Sequence, residues 1–82
     1  MRVSILGPKE TIWQGGVRDL ILPTEEGDIC VLDFHQPFLV RLTKGDIRLE
    51  VMSRKPLAVN KIPIKDGVAR MYGNELIILV EV

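Results

Sequence analysis

The sequence has one cysteine, no excess of either charge, few aromatics and no long apolar run. Each shortage removes a class of function. A lone cysteine, Cys30, forms no internal disulfide. Small secreted domains lean on several such bridges, so the expected compartment is cytosolic and reducing. Eleven Lys and Arg residues are matched by eleven Asp and Glu, giving a formal net charge of zero. Binding to a phosphate backbone rests on excess basic charge, so nucleic acid is excluded as the main partner. One tryptophan, one tyrosine and two phenylalanines are scattered, with no basic run between them, which removes a base-stacking surface. The first ten residues, MRVSILGPKE, hold only a short apolar run, too short for a signal-peptide core. No apolar run approaches the ~20 residues that span a bilayer. Attachment to a membrane is therefore expected only through another subunit.

What is present is dense punctuation. The 82 residues suit one domain, 1–82, with a modest core. Turn signals fall at Gly7-Pro8, Gly15-Gly16, Glu26-Gly27-Asp28, Lys44-Gly45-Asp46, Ser53 to Pro56, Lys65-Asp66-Gly67 and Gly73-Asn74. Their spacing, roughly eight to twelve residues, is that of short strands in a sandwich or barrel. Periodicity agrees. In Asp46 to Val51, Ile47, Leu49 and Val51 take alternate places and predict an inward face, with Arg48 and Glu50 in water. Phe38, Val40 and Leu42 form another such face. Leu76 to Val80 is apolar without a break, which predicts a central strand buried on both sides. IKDGVARM reads as a hairpin, with Asp66-Gly67 supplying the positive φ angles of a tight turn. Gly15-Gly16 reads as a turn or bulge that reverses the chain. The five prolines are expected at strand starts or edges. The predicted fold is an all-β, two-layer antiparallel β-sandwich of about nine or ten short strands.

The stretch TEEGDICVLDFHQPFL, Thr24 to Leu39, gathers the residues that suggest chemistry. His35 lacks a nucleophile and an orienting acid in a recognisable pattern, and no Gly-x-Ser-x-Gly elbow is present. Cys30 lies between Ile29 and Val31 with Asp28, not a cation, nearby, so it is expected to pack in the core. One cysteine and one histidine do not supply the three or four ligands of a metal site. Glu25, Glu26 and Asp28 match only part of a calcium loop and read as a solvated turn or a charged contact to a partner. Gly15-Gly16 lacks the Gly-Lys-Ser/Thr of a phosphate loop. Trp13 is expected to pack against the core or an edge. The residues thus point away from an enzyme, and no cofactor or metal is expected.

The ordered set of motifs resembles the N-terminal β-sandwich domain of F-type ATP synthase epsilon subunits, a family that includes the subunit called delta in mitochondria. The resemblance runs along nearly the full chain. It rests on Gly16-Val17 or Gly15-Gly16 for the family's G-x-V turn. Glu26-Gly27-Asp28-Ile29 and His35-Gln36-Pro37-Phe38-Leu39 stand for its EGxxGILPGHxPLL loop. Lys44-Gly45-Asp46-Ile47-Arg48 stands for LKPGxLRI, and IKDGVARMYGNELIILVE for its closing strands. Asp33-Phe34 replaces the family's proline and glycine before the histidine, Cys30 stands where glycine is common, and Lys65-Asp66-Gly67 replaces a serine-glycine-glycine turn. The family's C-terminal helical hairpin has no counterpart in these residues, so ATP binding is not expected of them.

The resemblance implies a non-catalytic rotor subunit joining the gamma subunit to the membrane c-ring. It would lie peripherally on the cytoplasmic face of a bacterial plasma membrane. By position it implies a c-ring contact through Glu26, Asp28 and His35. The gamma contact is expected at the Gly7-Pro8 corner and at Leu39 and Arg41. The rival reading is a lipoyl- or biotinyl-type carrier domain, also all-β, with Lys65 in IKDG as its acylated lysine.

Overall fold

The computed structural model describes residues 1–51 and 59–82, and every regular element among them is a strand. The strands are β1 (Arg2–Leu6), β2 (Thr11–Thr24), β3 (Gly27–Leu32), β4 (Phe38–Leu42), β5 (Gly45–Val51), β6 (Val59–Ile64), β7 (Asp66–Tyr72) and β8 (Glu75–Glu81). The expected turn at Ser53 to Pro56 and the side chain of Val51 lie outside the described residues.

The strands join in the order β4-β7-β8-β1-β2-β5-β6, with β3 attached to β2. The long β2 makes this a sandwich. Its first half pairs with β1, from Leu6↔Thr11 to Arg2↔Gly16. Its second half pairs with β3 and β5. One layer is therefore β4-β7-β8-β1 with the start of β2, and the other is β6-β5, the end of β2 and β3. The change of layer coincides with a register shift between Val17 and Asp19. An extra residue there increases local twist and bends the strand.

The all-β, two-layer expectation holds, with corrections of detail. Eight strands are described, fewer than nine or ten, because Gly15-Gly16 does not reverse the chain and β2 runs straight through it. A Cβ on Gly15 would lie 3.0 Å from the Trp13 ring, so this glycine makes room for the indole. The sheet is not wholly antiparallel: β1 and β8 are parallel, from Arg2↔Glu75 to Leu6↔Leu79. IKDG is not a hairpin either. Lys65 links β6 in one layer to β7 in the other, and neither Asp66 nor Gly67 has a positive φ. Gly67 is needed for close approach, because a Cβ there would lie 2.7 Å from the Leu79 carbonyl oxygen. Positive φ angles at two successive residues occur instead in the β7–β8 turn, at Gly73 and Asn74, both at 57°.

Alternation places the core. Val3 and Ile5 of β1, Leu20 and Leu22 of β2, Ile47 and Leu49 of β5, Ala69 and Met71 of β7, and Leu76 and Ile78 of β8 are buried between the layers. Each large side chain among them contributes about 1.5–3 kcal/mol of burial. Trp13, Phe38 and Val40 pack against this core while partly buried. Arg48 is exposed and Glu50 half-exposed, opposite Ile47 and Leu49, as the alternation predicts. The double burial expected of β8 fails: Ile77 is half-buried and Leu79 is 49% exposed. Only one side of β8 faces the other layer, so its second face forms the outside of the molecule.

Candidate functional site

No helix among the described residues is long and apolar enough to cross a membrane. Among the same residues no group of three or more His, Cys, Asp or Glu side chains converges to hold a metal. The candidate residues instead lie on three surfaces.

The first surface is the tip of the β2–β3 hairpin. Gly27, with φ at 111° and open space around it, lets the chain turn, and the Thr24 hydroxyl donates to the Gly27 carbonyl at 2.6 Å. Glu25 and Glu26 occupy the turn and are exposed; Asp28, opposite Pro23, is exposed too. The base is pinned from below. The Thr43 N–H donates to the Pro23 carbonyl at 3.0 Å, and a Cβ on Gly45 would lie 2.8 Å from Pro23. Carboxylates held out from a fixed turn can accept charge-assisted hydrogen bonds from a basic or amide-bearing partner.

The second surface is the β3–β4 connection, residues 33–37, which holds His35. It starts past the far end of β3, so the length of that six-residue strand, roughly 20 Å at ~3.3 Å per residue, separates His35 from Glu26. The structure brings Glu26 and Asp28 together but not His35. The loop is tied on several sides. The Met1 ammonium pairs with the Asp33 carboxylate and also donates to the Val17 carbonyl at 2.9 Å. The Phe34 N–H donates to Asn74 Oδ1 at 2.7 Å, and the His35 N–H to the Leu32 carbonyl at 3.2 Å. His35 itself is exposed, with Nδ1 donating to the Gln36 carbonyl at 2.9 Å and its ring edge-on to Phe38 at 5.2 Å. Asp33 is engaged by Met1, so it does not orient the imidazole. The Ser4 hydroxyl accepts from Gln14 at 3.2 Å, and Ser53 lies outside the described residues. His35 is thus placed to brace the loop on Phe38.

The third surface is the outer face of the β4-β7-β8-β1 layer. Register puts Leu39, Arg70, Ile77, Ser4 and Gln14 in one row, and Arg41, Val68, Leu79 and Leu6 in the next. Leu39 is 72% exposed. Gly7, Pro8 and Arg41 line one shallow groove of about 640 Å³ with Leu6, Val68 and Leu79. The four residues expected at a gamma contact therefore share one face. Arg41 donates to Asp66 at 3.3 Å. That bond, followed by the Gly67 N–H at 2.8 Å, lowers the Asp66 carboxyl below its ordinary value of 3.8. Sequence reasoning missed Val68, Ile77 and Leu79 on this face, and Arg70, whose guanidinium stacks 5.9 Å from the Tyr72 ring. The alternation Val68-Arg70-Tyr72 against Ala69-Met71 was the available signal.

Two expectations are corrected here. Cys30 is exposed, not in the core. Ile29 is half-buried and Val31 buried, so alternation turns Cys30 to the opposite face with Asp28 and Leu32. Lys65 is not a hairpin tip: its N–H donates to the Glu81 carbonyl at 2.7 Å in a crossover between layers. The carrier reading loses the geometry that would present its lysine.

Comparison with known proteins bears on these surfaces. The chain is 33% identical over 79 residues to chloroplastic ATP synthase epsilon chains of Sorghum bicolor and Oryza sativa, covering 96% of this chain and 56% of theirs. It thus spans little more than half the length of these curated relatives. Two solved structures share its fold, each with a TM-score of 0.84. One is the central stalk and c-ring of the Tetrahymena thermophila mitochondrial ATP synthase, at 15% identity over 99% of this chain and 63% of that one. The other is the OSCP/F1/c-ring assembly of the Euglena gracilis enzyme, at 22% identity over 95% and 48%. A family model described as "ATP synthase, Delta/Epsilon chain, beta-sandwich domain" matches residues 1–82. With its strands, its motif order and that match spanning the same residues, the chain belongs to the ATP synthase delta/epsilon β-sandwich family.

Proposed function

We propose that this chain is a non-catalytic central-stalk subunit of an F-type ATP synthase, joining the gamma subunit to the c-ring and held peripherally at the coupling membrane. The observation that carries this reading is the placement of two unlike surfaces on different layers of one sandwich. The β2–β3 tip offers exposed acids, Glu26 and Asp28. The outer face of the other layer offers apolar Leu39 and Leu79 beside Arg41 and the Gly7-Pro8 corner. An adaptor needs two such surfaces held in fixed relation.

The acidic tip docks on polar loops of the c-ring. Each exposed pair there contributes about 1 kcal/mol or less, so the acids set register more than affinity. The apolar face packs on gamma and supplies most of the affinity. His35, at the far end of β3, holds the 33–37 loop in shape and does not share the Glu26 edge. Hydrolysis and synthesis belong to other subunits in this reading.

The test is charge reversal at the tip. Glu26→Lys with Asp28→Lys, in reassembled enzyme, should uncouple ATP hydrolysis from ion pumping while the isolated variant melts like wild type. Normal coupling with normal retention of the variant would overturn the docking of this tip.

A further inference from the structure

We propose that the free edge of β4 receives an extended segment of the gamma-type partner, so that the β4-β7-β8-β1 layer continues across the interface as one sheet. This rests on the gamma contact proposed above, because Leu39 and Arg41 lie on the same strand. Among the described residues, β3, β4 and β6 each pair on one side only. Exposed edges ordinarily carry devices that stop another strand from adding. β6 carries two, Lys61 and Pro63. β3 places Asp28 near its tip. β4, Phe38-Leu39-Val40-Arg41-Leu42, has no proline or lysine within it, Pro37 lying just before its first residue, and its one charge, Arg41, is paired with Asp66 at 3.3 Å.

The backbone of such an edge leaves alternate N–H and C=O groups facing outward, and only another extended backbone satisfies them in series. The side chains say what kind. An added strand would lie beside Leu39, 72% exposed, and Arg41. Next to them stand Arg70 and Val68 on β7. The charges on β4 and on the β7 strand beside it are Arg41, Arg70 and Asp66. Arg70 has no ion pair among the described residues, so the edge is net positive. The incoming strand should carry an apolar residue beside Leu39 and a carboxylate within reach of Arg70. A second copy fits worse. Antiparallel pairing of two β4 strands about Val40 sets each Arg41 against the other copy's Leu39 and brings no carboxylate to Arg70.

The experiment is amide hydrogen exchange on the full chain, alone and in complex with the gamma subunit of its own synthase. Exchange of the outward-facing amides within Phe38–Leu42, those not bonded to β7, should slow at least ten-fold in the complex, with Val59–Ile64 unchanged. Two variants then test the edge. In β4, Leu39 and Val40 point their N–H groups to opposite sides. One of Leu39→Pro and Val40→Pro removes a β7 bond and lowers the melting temperature, and the other removes only an outward N–H. The variant that melts like wild type should bind gamma at least ten-fold more weakly. Gamma binding with unchanged β4 exchange, or full affinity in that variant, would overturn strand addition while leaving the gamma contact standing. Concentration-dependent dimerisation with slowed β4 exchange in the free chain would overturn it in favour of a second copy. Absence of any gamma binding by wild type would instead sink the reading on which the proposal rests.

Discussion

The Asn74 side-chain carbonyl accepts a 2.7 Å hydrogen bond from the Phe34 N–H, and both residues are left-handed, at φ 57° and 59°. A strand-connecting loop is thereby latched to the β7–β8 turn by two residues in a conformation that side chains resist. Phe34 stands where the motif resemblance implies a glycine, and its ring is 81% exposed. A left-handed conformation costs a residue with a side chain about 1–2 kcal/mol, and little burial offsets it here. Phe34→Gly should therefore raise stability by about 0.5–1 kcal/mol after the entropy of the freer unfolded glycine is subtracted. Urea unfolding checks it; an unchanged or lower midpoint would refute strain at this position.

The fold was legible where one signal acted alone. Alternation in Asp46 to Glu50 placed Ile47 and Leu49 inward correctly, because a strand between two polar flanks has one choice of face. The same rule, applied to Ile29-Cys30-Val31, would have put Cys30 outside. Composition overrode it, since cysteine is a frequent core residue, and the residue was misplaced. Glycines misled for a related reason. Gly15 and Gly67 serve close approach to Trp13 and to the Leu79 carbonyl, and nothing local distinguishes that use from a turn. The residues expected to dock split in the same way. Gly7, Pro8, Leu39 and Arg41 met on one face because register brings β1 and β4 into one layer. Glu26 and His35 were close in sequence, but an intervening strand carries them apart.

Gly67 and Gly16 make a paired test of that distinction. A Cβ at 67 meets the Leu79 backbone oxygen at 2.7 Å, and backbone in the middle of a sheet cannot step aside. A Cβ at 16 meets nothing within 4 Å. Gly67→Ala should cost about 1–3 kcal/mol, as overpacking does. Gly16→Ala should stay within about 0.5 kcal/mol of wild type. Equal midpoints for the two variants would contradict the assigned roles.

Asp66 gives a pH dependence with a defined sign. The Arg41 bond, then the Gly67 N–H, hold its carboxyl below 3.8 in the folded chain. A depressed carboxylate contributes stability that is fully present above the unfolded value, and that is lost as pH falls through the lower folded value. The gap in urea midpoint between wild type and Asp66→Asn should thus be constant above pH 3.8 and close below it. The pair is exposed, so the gap should be small and should shrink further in 1 M salt. A gap that widens as the pH falls would have the wrong sign for this interaction.

β8 supplies the sharpest contrast within one strand. Ile78 is fully buried between the layers, and its neighbour Leu79 is 49% exposed on the outer face. Ile78→Ala removes buried methyl groups and leaves a cavity, so it should cost about 2–5 kcal/mol. Leu79→Ala removes a side chain that is half in water already, and about 1 kcal/mol or less is expected. The order reverses for partner binding, since Leu79 lines the groove beside Arg41 and Pro8 whereas Ile78 does not. Leu79→Ala should weaken gamma binding several-fold with little change in melting temperature. A large loss of stability in Leu79→Ala would mean that β8 is enclosed on both sides after all, and the outer face would cease to be a candidate interface.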